Sequence, residues 1–133
     1  MPRNEGGRPV ILHQDLLGRP HEPLRCLGYC SIVLARIFPD YVASEIPQNP
    51  EEAREWIMNP PKSKWREIGH TVFDARLDGD VVYGEREEGD GAYIAVMVNW
   101  HQGSFLTSSR GRGCHLRNVR GLRGVISVQR RFA

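Results

Sequence analysis

A chain of 133 residues, 40% hydrophobic and 26% charged, is long enough for one domain with a modest core and has the balance of a soluble globular protein. No apolar run approaches a bilayer span and the first residues carry no apolar signal core, so neither a membrane protein nor an exported one is expected. Three cysteines, an odd number with no repeating framework, argue against a disulfide scaffold and for a reducing, cytoplasmic setting.

The formal net charge of +2 hides an asymmetry. Residues 1–100 hold 11 basic against 16 acidic side chains, a net of −5, while residues 101–133 hold seven arginines and no acid, a net of +7. An Arg-rich C-terminal third suits phosphate, an acidic protein partner, or the acidic face of its own domain.

In chain order, residues 1–9 lack apolar periodicity and read as a flexible arm ahead of one domain over 10–133. Val10-Ile11-Leu12 suits a short strand, and two prolines make residues 18–25 a loop. From Leu27 to Phe38 the apolar positions Cys30, Val33, Leu34 and Ile37 recur three and four apart, which predicts a helix entered at Gly28 and stopped by Pro39. Asn49-Pro50-Glu51-Glu52 predicts a second helix with Asn49 as its cap, ending at Asn59-Pro60-Pro61.

From Thr71 the period becomes two. Thr71 to Leu77, a turn at Asp78-Gly79-Asp80, and Val81 to Tyr83 read as a hairpin, with a second turn over Glu87 to Gly91. Ala92 to Trp100 is almost wholly apolar, as in a strand buried on both faces, and Ser104–Ser108, Cys114–Val119 and Val125–Phe132 are further strands. Helices first and an antiparallel sheet second define an α+β domain.

Two constellations carry chemistry. Cys30, placed in the first turn of its helix, would meet unpaired backbone N–H groups and a dipole that favours a thiolate. The competing interpretation is a small apolar residue on the helix's buried stripe. A thiol nucleophile needs an imidazole and a group to orient it. His70, after Gly69, has Glu85 near the return of its hairpin; His101 follows Asn99 and Trp100 at the end of the apolar strand. The second constellation is Arg110, Arg112, Arg117, Arg120 and Arg123, spaced by glycines within the segment 110–131, a pattern for a flexible loop that tracks RNA phosphates or meets an acidic protein. Cys26, Cys30, His101 and Cys114-His115 are too scattered for a zinc knuckle, and no cofactor loop is present, so neither metal nor cofactor is expected.

Gly28-Tyr29-Cys30 at a helix start, a later sheet-borne histidine, and helices preceding sheet together resemble the papain-like fold, in outline the small self-cleaving viral leader proteases. That resemblance implies a cysteine peptidase acting on a polypeptide, including its own precursor, with autoproteolysis at its C-terminus. It assigns Cys30 as nucleophile, His101 or His70 as base, Asn99 or Glu85 as orienting group, and Tyr29 and Trp100 as cleft walls. The chain departs from the viral pattern at Ser31, where an aromatic residue is usual, and at Ala133, where glycine is. The alternative is a non-enzymatic RNA-binding or assembly protein working through segment 110–131.

Overall fold

The structure, a computed structural model, describes residues 13–47, 49–58, 64–85 and 92–132. The expected arm at 1–9, the strand at Val10–Leu12, the end of the second helix at 59–61 and the turn at 87–91 lie outside the described residues.

Helix α1 runs from Arg25 to Ile37 and buries Cys26, Tyr29, Cys30, Val33 and Leu34, the three-and-four spacing that its sequence carries. It begins two residues earlier than the pattern from Leu27 suggested. The amides of Arg25 and Gly28 donate to His21 O at 2.6 Å and Leu24 O at 2.9 Å. Phe38 closes it by donating to Leu34 O at 2.8 Å, and Pro39 cannot extend it. Helix α2 spans Pro50–Met58, with Asn49 Oδ1 accepting the Glu52 amide at 2.9 Å, the cap expected there. Its Trp56 lies against Trp65 and Tyr83, with ring centroids 6.0 and 4.8 Å away.

Six strands form one antiparallel sheet: β1 (Trp65–Gly69), β2 (Val81–Glu85), β3 (Ala92–Asn99), β4 (Ser104–Ser109), β5 (Gly113–Asn118) and β6 (Val125–Arg131), in the order β1-β6-β2-β3-β4-β5. β2 to β5 form a meander, and β6 returns to the far side of β2, so β1 and β5 are the outer strands.

Alternation sorts the side chains onto two apolar faces. Val81, Tyr83, Ile94, Val96, Val98, Leu106 and Cys114 pack with α1 and α2 in one cluster. Val82, Ala95, Met97, Phe105 and Val128 point the other way, where Val72, Ala75 and Leu122 from connecting segments cover them. Both faces of β3 are therefore buried, which accounts for its nearly unbroken apolar run.

The expected strand at Thr71–Leu77 is absent. Val72–Asp74 forms a 3₁₀ turn, because the Asp74 carboxylate takes the amides of His70 and Thr71, each at 3.0 Å. Asp80 likewise accepts the amides of Arg76 and Leu77 at 2.9 and 3.0 Å, so backbone groups that a ladder would use are committed to side chains. The strand before that turn is β1, which sequence patterning did not reveal; His70 follows its end rather than opening a strand. Among the described residues no helix is long and apolar enough to cross a membrane.

Candidate functional site

The start of α1 at Arg25 puts Cys30 in the second turn and leaves Cys26 in the first. Cys30 is 0% exposed, with its sulfur 3.8 Å from Ile94 O and 3.7 Å from Leu106 O, as a core thiol donating weakly to strand carbonyls. Burial, with the neighbouring Cys26 and Cys114 adding to it, pushes its pKa well above the usual thiol range. A nucleophile needs the reverse, a depressed pKa and access. Of the amides at the helix start, those of Arg25 and Gly28 are already bonded to His21 O and Leu24 O.

The expected bases are not brought to that sulfur. His101 is exposed in the turn after β3, whose last residue Asn99 already lies three residues past Val96, the partner of Leu106, or roughly 10 Å at about 3.3 Å per residue. Its ring stacks on Trp100, with centroids 4.0 Å apart. His70 is exposed beside the outer strand β1, three strand intervals from β3, or roughly 14 Å at about 4.8 Å each. Its ring contacts Ile126 O at 3.3 Å and Glu67 Oε1 at 3.4 Å.

The orienting groups are engaged elsewhere too. Asn99 Oδ1 accepts the Gln102 amide at 3.3 Å within its own turn, and Glu85 is exposed at the opposite end of β3, opposite Ala92 in the pairing of β2 with β3. Tyr29 is buried rather than lining a cleft, its hydroxyl donating to Pro20 O, while Trp100 is 49% exposed. The nucleophile, base and orienting group expected from sequence are thus dispersed over the molecule: the helix began earlier than its pattern indicated, and the sheet carried each histidine to a margin.

The basic segment divides into three kinds of arginine. Arg131 is 2% exposed along its side chain and donates to Glu45 at 2.7 and 3.0 Å and to Asp40 at 3.0 Å; Arg130 forks onto Asp80 at 2.9 and 2.8 Å. Hydrogen bonds from Arg131 hold the Glu45 carboxyl below its usual pKa, against the opposing effect of burial. Arg117 is half-buried and donates to His115 Nε2 at 3.1 Å and Gly121 O at 3.2 Å. His115 Nδ1 lies 2.7 Å from Gly113 O and must donate there, so Nε2 accepts and the ring is neutral; burial lowers its pKa.

Arg110, Arg112, Arg120 and Arg123 are exposed, and the first three make no side-chain hydrogen bond or ion pair among the described residues. Folding does not keep them together as a single loop. Arg110 and Arg112 occupy the β4–β5 turn, whereas Arg120 follows the far end of β5, roughly 20 Å away over the strand's 6 residues at about 3.3 Å each. Arg123 lies beyond it, its carbonyl accepting from Tyr93 Oη at 2.6 Å.

A shallow cavity of about 580 Å³, broadly open to solvent, lies beside the β4–β5 turn, lined by Gly18, Arg19, Pro20, His21, Glu22, Arg110, Arg112 and Gly113. The loop facing the turn is stitched to β5: Gly18 N–H donates to Cys114 O at 2.8 Å, and Cys114 N–H donates to Arg19 O at 2.9 Å. Gly113 permits this approach; it sits at φ +68°, and a Cβ there would run into the Arg19 carbonyl oxygen. Arg19 was read in the sequence only as part of a proline-bounded loop, because nothing local signals that it will face residues more than 90 positions downstream.

At the other end of β5, Ser104 pairs with Asn118 and Gly103 packs against Val119, which brings the Trp100–His101 stack to the end of the sheet that carries Arg120. Among the described residues no group of three or more His, Cys, Asp or Glu side chains is arranged to hold a metal ion. Comparison with protein-family models, with curated proteins and with solved structures found no match to this chain.

Proposed function

We propose that the chain is a non-enzymatic RNA-binding module whose working surface follows the outer strand β5 and both of its ends. The observation that carries this reading is that Arg110, Arg112 and Arg120 are exposed and without an acidic or hydrogen-bonding partner among the described residues, whereas Arg130 and Arg131 of the same segment are engaged by Asp80, Asp40 and Glu45. Unpaired guanidiniums at both ends of a strand suit phosphates several nucleotides apart on an extended chain. The half-exposed Trp100, stacked with His101 at the Arg120 end, offers a face on which a base can stack. That aromatic favours RNA over an acidic peptide.

A papain-like peptidase would need the Cys30 sulfur and an imidazole in one accessible place. The buried thiol and the two exposed rings of His70 and His101 do not support it.

The test is fluorescence anisotropy with a labelled oligouridylate across a salt series. Binding should weaken steeply with salt, and removing both Arg110 and Arg112 should reduce the magnitude of the log–log slope by about two. Trp100→Ala should weaken binding by about 1–3 kcal/mol with little change in slope. Binding of acidic peptides with equal affinity, or no RNA binding at low salt, would refute the proposal.

A further inference from the structure

Building on the RNA-binding reading, we infer that the cavity between residues 18–22 and the β4–β5 turn is a phosphomonoester site, which takes the terminal phosphate of an RNA strand on Arg19, Arg110 and Arg112. The argument begins with charge. Three guanidiniums line one cavity, and none has a hydrogen bond or an ion pair among the described residues. The single carboxylate in the lining, Glu22, is engaged by Arg25 Nε at 3.0 and 3.1 Å. Asp15, whose carboxyl senses Arg19, is held by a two-pronged contact from Arg36 at 3.0 and 2.7 Å. Among the described residues the lining therefore holds three guanidiniums against one carboxylate, itself shared with Arg25, and a bound anion would relieve the excess of positive charge.

The cavity is built as well as charged. Besides the two backbone bonds joining the loop to β5, Tyr29 Oη donates to Pro20 O and His21 Nδ1 lies 2.8 Å from the Ser108 hydroxyl, so side chains from α1 and β4 brace the same loop. Arg19 is thereby held opposite the β4–β5 turn by contacts from three elements. A backbone fixed before the ligand arrives loses less freedom on binding, while the three exposed guanidiniums are left to adjust to the anion.

Charge distribution points to a strand end rather than to an internal linkage. A phosphomonoester near neutral pH carries about −1.5 to −2, against a single charge for each phosphodiester. Arginines that track a backbone would be strung along it, but here three gather at one end of β5 and Arg120 stands at the other. This arrangement fits an RNA whose terminus is seated in the cavity and whose following nucleotides run toward Arg120 and Trp100.

The experiment compares 3′-labelled oligouridylates that differ only in a 5′-phosphate or a 5′-hydroxyl, together with uridine 5′-monophosphate and uridine as unlabelled probes observed by NMR. The wild-type chain should bind the phosphorylated strand about tenfold or more tightly, as expected for hydrogen bonds between charged groups. Arg19→Ala should erase that preference, weakening binding of the phosphorylated strand far more than that of the hydroxyl strand, with the melting temperature unchanged, since Arg19 is exposed and its guanidinium has no hydrogen bond or ion pair among the described residues. Arg19→Lys should restore part of it. Equal affinity for the two strands in the wild type, or a preference that survives Arg19→Ala, would overturn the inference even if RNA binds. Binding of the monophosphate but not uridine, with neither oligonucleotide bound, would support the cavity as a site for small phosphomonoesters while refuting the RNA reading and the strand-end assignment.

Discussion

Arg131 and Arg112 belong to one basic segment and occupy opposite ends of the range of environments open to a charged side chain. Arg131 lies on the helix-facing side of β6, 2% exposed, between Glu45 and Asp40, with the Phe38 ring 5.0 Å from its guanidinium. Arg112 lies at a turn in solvent, with no acid bonded to it among the described residues. The difference comes from what folding places opposite each. The acids lie in the first 100 residues, and those brought to β6 meet Arg130 and Arg131, while among the described residues none makes an ion pair with Arg110 or Arg112. A net charge of +7 over a segment therefore overstates what is available to a partner, because part of it is neutralised inside the domain.

The sharpest way to break this comparison is Arg131→Ala. It strands the 8%-exposed Glu45 carboxylate without its main partner and should destabilise the protein by about 3–5 kcal/mol in urea unfolding. A loss below ~1 kcal/mol would mean that Arg131 is no more structural than a surface arginine.

Gly113→Ala comes next. The left-handed backbone alone should cost about 1–2 kcal/mol, and the new methyl must displace the Arg19 carbonyl, so phosphate selectivity should fall with the melting temperature. Unchanged stability would show that the loop is not tied to β5 as described.

Acid titration sharpens the same contrast. Glu45 has its folded pKa depressed from 4.5, chiefly by hydrogen bonds from Arg131. It therefore contributes stability that is fully present above the unfolded value and is lost as pH falls through the folded one. In Arg131→Lys, which keeps the charge but loses the fork, the folded pKa of Glu45 should be less depressed, so less stability is present above the unfolded value and the midpoint of acid unfolding, followed by circular dichroism, should lie at higher pH than in the wild type. Identical acid limbs would remove Arg131 as the cause.

The smallest expected effect on folding belongs to the Arg110→Ala, Arg112→Ala double variant. Its stability should stay within about 0.5 kcal/mol of wild type while its affinity for RNA falls. In the same native protein Cys30 should resist iodoacetamide near neutral pH and react only after unfolding, since its sulfur is buried and burial raises its pKa. Rapid native labelling of Cys30 would reopen the peptidase reading.

Local signals were legible where a short stretch of chain decides the outcome. The three-and-four spacing of Cys30, Val33 and Leu34, the Asn49 cap, and the apolar run of β3 all predicted elements that the structure contains. Patterning failed at 71–77, where alternating residues were overruled by Asp74 and Asp80 capturing backbone amides. It failed at the candidate cysteine for a related reason. The N-terminal end of α1 is set by the turn from His21 to Arg25, and a shift of two residues moved Cys30 from the first turn into the second, inside the core.

By itself, then, the sequence determined an α+β chain with helices ahead of an antiparallel sheet, because periodicity and capping act over a few residues. Only the tertiary structure decided which arginines are engaged by acids and which are exposed without them, that Arg19 joins Arg110 and Arg112 around a cavity, and that Cys30 is sealed between α1 and the sheet. Those outcomes depend on groups far apart in the chain, and charge, desolvation and access acquire their values only when such groups are placed side by side.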